Sequence, residues 1–414
     1  MEALLSNKDW PEYGSVTIPL PIPPAEYEFW MEQLRKIEIG GPLAQDCLVK
    51  KLIDAPPVLD CLLDQQVNVD ELDFLTRRMH LFLGDDNACF SALVYSLDRK
   101  DIRSLINLTF YTEDVTLITD FSPGQLREQG KTHYQRVQYV SSVEELARVD
   151  GEKVMRDLLA SGTGKITPFG VFYDNGTEFM DLYEGHEFPQ GNGCYDAVLT
   201  ATLTRPGEEE VEHVLPLPAP EGFLKRMCIR GGLNQEEKLH LSLEEDECPP
   251  EVPEAIGSEW TITLNNDVVR EINTMCRAIA ALPHEKRKKL GAVVQFARPK
   301  DTSQVIQLAE NLEMFEFVPE VKTPEEYGRY LLRGSEIEQD EGLSGFFDFE
   351  RYGKEQVRLY DGVFNERGYV ALHASITVEE LMRDDFSGIR REPVPQERRA
   401  MPHQRGISRK GPER

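Results

Sequence analysis

Apolar and polar positions alternate along this chain in two recurrent ways, and each predicts a type of element. From Ala25 to Ile37 the side chains of Phe29, Met31, Leu34 and Ile37 fall close to helical spacing behind Pro23 and Pro24, which predicts an amphipathic helix. A second helix is predicted after Asn68, a natural N-cap, with Asp70 and Glu71 in the first turn, where the helix dipole favours negative charge. Val115 to Phe121 and the later "MFEFVPEV" are β-branched and aromatic, as strands are. Asp174-Asn175-Gly176 stands between two apolar runs and predicts a hairpin turn. Prolines within Ile18–Pro23 and Leu215–Pro220 keep those apolar runs from the centre of a sheet. The order of strand, helices, strand, helix and hairpin gives an α+β fold rather than a regular βαβ array.

The pattern also repeats. "IPLPIP" returns as "LPLPAP" roughly 197 positions later, and Phe90–Leu108 aligns without a gap to Leu290–Leu308 at an offset of about 200. The same offset sets Leu72, Asp73 and Arg77 on Ile272, Asn273 and Arg277, and Val115, Leu117, Ile118 and Asp120 on Phe315, Phe317, Val318 and Glu320. A last block, Asn175–Gly185, is aligned to Tyr352–Gly362 at a smaller offset, which implies a deletion in the second copy. Two tandem repeats are expected, 14–190 and 196–376, joined by the Gly- and Asn-rich Pro189–Asp196. Beyond Ile389 the apolar pattern stops, and 386–414 is expected to be a disordered basic tail.

Charge changes the picture. The chain has 414 residues and a formal net charge of -27, and the tail carries about eight basic against three acidic residues, so the remainder is more acidic still. Roughly equal shares of that excess fall on the two repeats. Such a body repels nucleic acid and anionic membranes, and it attracts proteins with a basic groove. Acidity by itself is common among soluble proteins, so its arrangement has to decide.

Candidate chemistry is sparse. "SGTGKIT" at Ser161–Thr167 lacks the first glycine of a phosphate loop and has Ile166 where the magnesium-binding hydroxyl belongs, so it reads as a turn before a strand. Dispersed histidines and seven widely spaced cysteines, Cys47, Cys61, Cys89, Cys194, Cys228, Cys248 and Cys276, give neither a metal motif nor a disulfide framework. No nucleophile signature is present, so neither catalytic residues nor a cofactor are expected and a non-enzymatic role is. There is no apolar run of membrane length and no leader pattern, and a cytoplasmic location is expected.

What remains is the set of acidic clusters. Glu208, Glu209 and Glu210, then Glu244, Glu245, Asp246 and Glu247, then Glu336, Glu338, Asp340 and Glu341 are the densest, and Asp70, Glu71, Asp73, Glu113 and Asp114 are sparser. Any one cluster is ordinarily a solvated face. Together they could match duplex DNA, which presents about one negative charge per 1.7 Å of axis, and so fill a groove built for it.

Residues 197–372 carry a family resemblance. "AVLTATLTRPGEEEVEHVLPLPAPEGFLKRMCIRGG" and "DVVREINTMCRAIAALPHEKRKKLGAVV" are followed by "FFDFERYGKE", which resembles the Y-I-D-Y-E-A-Y-G-R-D segment of ArdA-type antirestriction proteins. Asp348, Glu350, Tyr352 and Gly353 match it, while Lys354 and Glu355 stand where Arg and Asp are usual. The first repeat keeps the Pro-Leu-Pro strand, "EIGG", the Asn68 helix and the Leu-Tyr-Glu-Gly end, with "FGVFYDNG" in place of that segment. The resemblance implies two tandem elongated units of small mixed α/β subdomains. It further implies an acidic DNA mimic that occupies the DNA-binding groove of type I restriction-modification enzymes and protects a mobile genetic element. The partner-binding set would then include Asp348, Glu350 and Glu355, and the chain would act as an internal pseudo-dimer or a homodimer. The alternative is a conjugation-associated structural or adaptor protein with the same fold and no inhibitory activity.

Overall fold

The structure, a computed structural model, describes residues 1–119, 124–140, 142–189, 196–335, 337 and 345–383. The expected tail, 386–414, lies outside them. The fold is mixed α+β, with antiparallel sheets and separate helices.

The chain packs as two compact bodies. The first comprises Met1–Asp196, Thr202–Leu239 and Thr263–Asn265, and the second Ala197–Ala201, His240–Ile262 and Asn266–Arg414. Packing therefore divides the chain differently from the expected repeats, since Thr202–Leu239, which holds the end of the strand Leu199–Arg205, the strand Glu208–Leu217 and the helix after them, belongs to the first body, whereas Ala197–Ala201 belongs to the second.

In the first body β1 (Glu2–Asn7), β2 (Ser15–Pro19), β3 (Cys47–Ile53) and β4 (Gln66–Val67) form a sheet of order β2-β1-β3-β4. β1 is central although it precedes residue 14, where the first repeat was expected to begin. The proline-bearing β2 takes an edge, as a strand that cannot donate at proline must. The helix predicted over 25–37 is α1 (Tyr27–Lys36), and Asn68 caps α2 (Val69–His80) by accepting from the amides of Asp70 and Glu71. Next come α3 (Asp86–Leu97), α4 (Ile102–Leu108), β5 (Thr116–Ile118), α5 (Leu126–Gln138), α6 (Val143–Arg148), α7 (Gly151–Ala160), β6 (Lys165–Thr167) and β7 (Gly170–Tyr173). The last three strands form a sheet of order β5-β7-β6.

The element order then recurs. β8 (Leu199–Arg205), β9 (Glu208–Leu217), β10 (Leu239–Glu245) and β11 (Glu259–Ile262) take the order β11-β10-β8-β9, with the proline-bearing β9 again at an edge. α8 (Glu221–Arg230) follows β9 as α1 follows β2, and the peptides before Pro21 and Pro218 are both cis. In the second body α9 (Glu251–Ile256), α10 (Val268–Ala280), α11 (His284–Ala297), α12 (Thr302–Glu310), β12 (Phe315–Pro319), α13 (Pro324–Leu331), α14 (Phe349–Leu359), β13 (Val363–Asn365), β14 (Gly368–Leu372) and α15 (Val378–Leu381) complete the chain. The sheet order β12-β14-β13 repeats that of β5-β7-β6. In α10 burial follows the helical period, with Ile272, Met275, Cys276 and Ile279 forming a buried stripe, whereas α2 is buried on every side from Val69 to Thr76.

Glycines mark the recurrence most sharply. α5 crosses α7 so closely that a Cβ on Gly130 would lie 1.8 Å from the carbonyl oxygen of Gly151, and α13 crosses α14 so that one on Gly328 would lie 2.1 Å from that of Phe349. Gly170 and Gly368, with φ of 136° and 146°, each back onto a strand carbonyl, of Ile118 and Val318, at 2.2 Å. These pairs keep an offset near 198, so the alignment of Asn175–Gly185 with Tyr352–Gly362 was a register error. The counterpart of α14 is α7, where Asp150 accepts from the amide of Lys153 as Asp348 does from that of Arg351.

The predicted hairpin at Asp174–Gly176 also changes. The turn is there, with Asn175 at φ 57° and Gly176 at φ 76°, but the strands that pair are β6 and β7, which meet at Thr167 and Gly170. Side chains take the backbone groups of the expected second arm: the Tyr111 hydroxyl donates to the Met180 carbonyl and accepts from its amide, and Asn107 accepts from the amide of Tyr183.

Candidate functional site

Polar side chains converge in the first body at the N-terminus of α2. Asn68 does more than cap: its Nδ2 donates to the carbonyls of Gly41, Pro42 and Ala44, pinning the Gly40–Ala44 loop beside the helix. Next to it Asp70 is buried and accepts from Arg226 of α8, with Nε at 2.8 Å from Oδ1 and Nη2 at 2.8 Å from Oδ2. The second guanidinium edge of Arg226 donates to the Gly40 carbonyl at 2.6 Å.

One turn further along α8, Arg230 is 3% exposed. It donates to the carbonyls of His186 and Pro42, to Asn68 Oδ1 and to the Tyr183 hydroxyl, and its guanidinium carbon lies 4.3 Å from the centre of the Phe188 ring. Tyr183 in turn donates to Glu71 Oε1 at 2.8 Å. Phe188 stacks on Phe74 of α2 with centroids 4.3 Å apart, so residues 183–188 form a strap over Arg230. On the same helix Asp73 accepts from the Ile22 amide at 2.6 Å and from Arg77 Nε at 2.8 Å.

Burial drives the electrostatics. Desolvation pushes the carboxyls of Asp70, Glu71 and Asp73 above their ordinary values, against the lowering pull of Arg226 on Asp70, of Tyr183 and Arg230 on Glu71, and of Arg77 on Asp73. Desolvation also opposes the charge of Arg226, but the Asp70 carboxylate outweighs it and the guanidinium is raised. Burial raises the Tyr183 hydroxyl out of reach of titration, so it acts as a fixed donor.

This arrangement corrects part of the expected partner-binding set. Asp70, Glu71 and Asp73 are 9%, 2% and 4% exposed and are held by the molecule's own arginines and tyrosine, so they cannot face a partner. Their helix buries Val69, Leu72, Phe74 and Leu75, and its polar side is covered by α8 and the strap instead of by water.

Other candidates are at the surface. Glu208 and Glu210 are exposed at the start of β9, and Glu244, Glu245, Asp246 and Glu247 are exposed at the end of β10. Asp246 accepts from Thr200 Oγ1, and Glu247 pairs with Arg287. Glu113 is exposed, whereas the half-buried Asp114 accepts from the Tyr139 hydroxyl at 3.0 Å. Asp348, Glu350 and Glu355 are exposed on α14 or at its cap, with Asp348 holding the helix N-terminus and Glu350 paired with Lys354. Glu336, Glu338, Asp340 and Glu341, and the side chain of Glu209, lie outside the described residues.

Sequence reasoning missed Arg226, Arg230 and Tyr183. A signal existed: two arginines four apart on a helix face that also carries Phe223 and Met227 point into the protein, and a buried guanidinium needs a carboxylate.

Among the described residues no three or more His, Cys, Asp or Glu side chains are grouped so as to hold a metal ion. No helix among them is long and apolar enough to cross a membrane. No known protein family's sequence profile matches the chain, and no curated protein matches it.

Proposed function

We propose that the chain is a non-catalytic, acidic inhibitor that fills the basic DNA-binding groove of another protein in the cytoplasm. The preferred partner is a type I restriction-modification enzyme, as the ArdA-type resemblance implies, and the biological outcome is protection of a mobile genetic element. The carrying observation is how charge is partitioned. Arginines 77, 226 and 230 are withdrawn into buried contacts with Asp73, Asp70 and their neighbours, while Glu208, Glu210, Glu244, Glu245, Glu350 and Glu355 stay at the surface. Because the buried charges pair, the net charge of -27 is carried outside the core.

Surface carboxylates attract a basic groove over a Debye length of about 8–10 Å in physiological salt, which speeds encounter and makes binding salt-dependent. No single carboxylate dominates such an interface. Two repeats in one chain supply the paired surfaces that a dimer of single units would present.

The test is competition. The full chain is titrated into a type I restriction-modification complex bound to labelled duplex, at low and at high salt. Displacement at low salt that weakens steeply at high salt is expected. Absence of displacement at low salt would discard the inhibitor reading and favour an adaptor with the same fold.

A further inference from the structure

The connection between β1 and β2 is longer than the fold requires. β8 and β9, the neighbouring strands that recur in the second repeat, are joined by Pro206 and Gly207 alone, whereas residues 8–14 join β1 to β2. The added residues carry Trp10 and Tyr13, which are 50% and 43% exposed, with ring centroids 6.1 Å apart and planes 20° from parallel. Rings left this far in water contribute only part of their apolar area to folding.

The loop is held in shape from beneath. The buried Asn7 accepts from the amides of Asp9 and Trp10 through Oδ1 at 2.9 and 3.1 Å, and its Nδ2 donates to the carbonyls of Ile37 and Glu38 just beyond α1. Pro11 opens a single helical turn, in which the Tyr13 amide donates to the Trp10 carbonyl and the Gly14 amide to the Pro11 carbonyl, each at 3.1 Å. Gly14, at φ 85°, then returns the chain to β2. A Cβ there would meet nothing within 4 Å, so the backbone turn and not space calls for glycine.

Charge decides what the rings can take. Asp9 and Glu12 flank them, are exposed and make no ion pair among the described residues, while Lys8 donates to Gln66 of β4 at 3.4 Å. Electron-rich ring faces beside carboxylates repel phosphate and favour a cation. A guanidinium stacks on such a face better than an ammonium, because it is planar and more weakly hydrated.

We propose that Trp10 and Tyr13 form a preorganised anchor for arginine side chains of a partner protein. As part of an interface the anchor rests on the inhibitor reading. It adds to the long-range pull of the carboxylates a short-range contact of the residue types that dominate interface energies, and a loop already in shape loses little freedom on binding. As a guanidinium-binding surface it is tested by itself, without DNA or a restriction enzyme.

The full chain is labelled with 5-fluorotryptophan, and the signal of Trp10, one of three tryptophans, is identified with Trp10→Phe. Decaarginine and decalysine peptides, equal in charge, are titrated at physiological salt. The Trp10 signal is expected to move at a several-fold lower concentration of decaarginine than of decalysine. Tyr13→Ala should raise the decaarginine midpoint about two- to fivefold, the loss of one exposed cation–π contact, and Tyr13→Phe should keep it. A Trp10 signal that ignores decaarginine, follows both peptides alike or is unaffected by Tyr13→Ala overturns the anchor. A signal that moves with a ten-nucleotide thymidine strand assigns the rings to nucleic acid and overturns it equally. Failure of the restriction-enzyme competition with this titration intact would discard the inhibitor and leave the anchor standing.

Discussion

Arg226 and Asp70, 156 positions apart, meet in a two-pronged buried ion pair that joins α8 to the N-terminus of α2. Removing Arg226 leaves the buried Asp70 carboxylate without its close hydrogen-bonded cation, with only Arg230 3.9 Å away in its place. Arg226→Ala is expected to cost about 3–5 kcal/mol of stability. The double variant Arg226→Ala/Asp70→Asn should recover part of that loss, because no buried carboxylate is left without its close hydrogen-bonded partner. Urea unfolding of the single and double variants measures both, and equal loss in the two would mean that packing, not charge, holds the helices.

The pH dependence has a definite sign. The carboxyl of Glu71 is raised in the folded protein, chiefly by desolvation. Its contribution is therefore fully present below the unfolded carboxyl value, about 4.3, and is lost as pH rises through the folded one. Glu71→Gln removes this linkage. Relative to the parent, that variant should gain stability as pH rises above the unfolded carboxyl value, about 4.3, and thermal melts across pH would expose the opposite slope if Glu71 were held down by its partners instead.

Tyr183→Phe tests the strap. The hydroxyl donates to Glu71 and accepts from Arg230, and its loss leaves a buried carboxylate oxygen without its donor. A cost of about 1–3 kcal/mol is expected, with faster amide exchange in residues 184–188. In a Glu71→Gln background the same substitution should cost less, and a double-mutant cycle gives the difference.

The matched helix crossings predict matched sensitivity. Gly130→Ala and Gly328→Ala each drive a methyl into a backbone carbonyl, at 1.8 and 2.1 Å, which only separation of the helices relieves. Overpacking of this kind typically costs about 1–3 kcal/mol, and backbone on both sides puts these sites at the upper end. Unfolding that left either variant as stable as the parent would contradict the close crossing.

For the proposed inhibitor, Glu208→Gln, Glu210→Gln, Glu244→Gln and Glu245→Gln should each change competition with DNA little. The fourfold variant should weaken it and flatten its salt dependence. If one carboxylate alone abolished competition, a discrete site would replace the distributed one.

Much of the fold was legible because it rests on local rules. Asn68 announced the start of α2 by its capping chemistry, and Pro19 and Pro216 placed β2 and β9 at sheet edges by lacking an amide hydrogen. The hairpin at Asp174 was misplaced because a turn signal fixes only the turn. Whether its second arm pairs depended on Tyr111 and Asn107, about 70 residues away in sequence, which take the backbone groups first.

The candidate site divides in the same way. Composition determined the acidic excess, and local pattern determined that Asp70, Glu71 and Asp73 begin a helix. Neither could tell a solvated carboxylate from a buried one, since the decision lies with Arg226, Arg230 and Tyr183, which arrive from distant segments. A charge on an exposed helix costs nothing to keep, while the same charge under another helix survives only with a partner. The sequence by itself fixed how much negative charge this protein carries, and the tertiary structure decided which carboxylates remain to face another molecule.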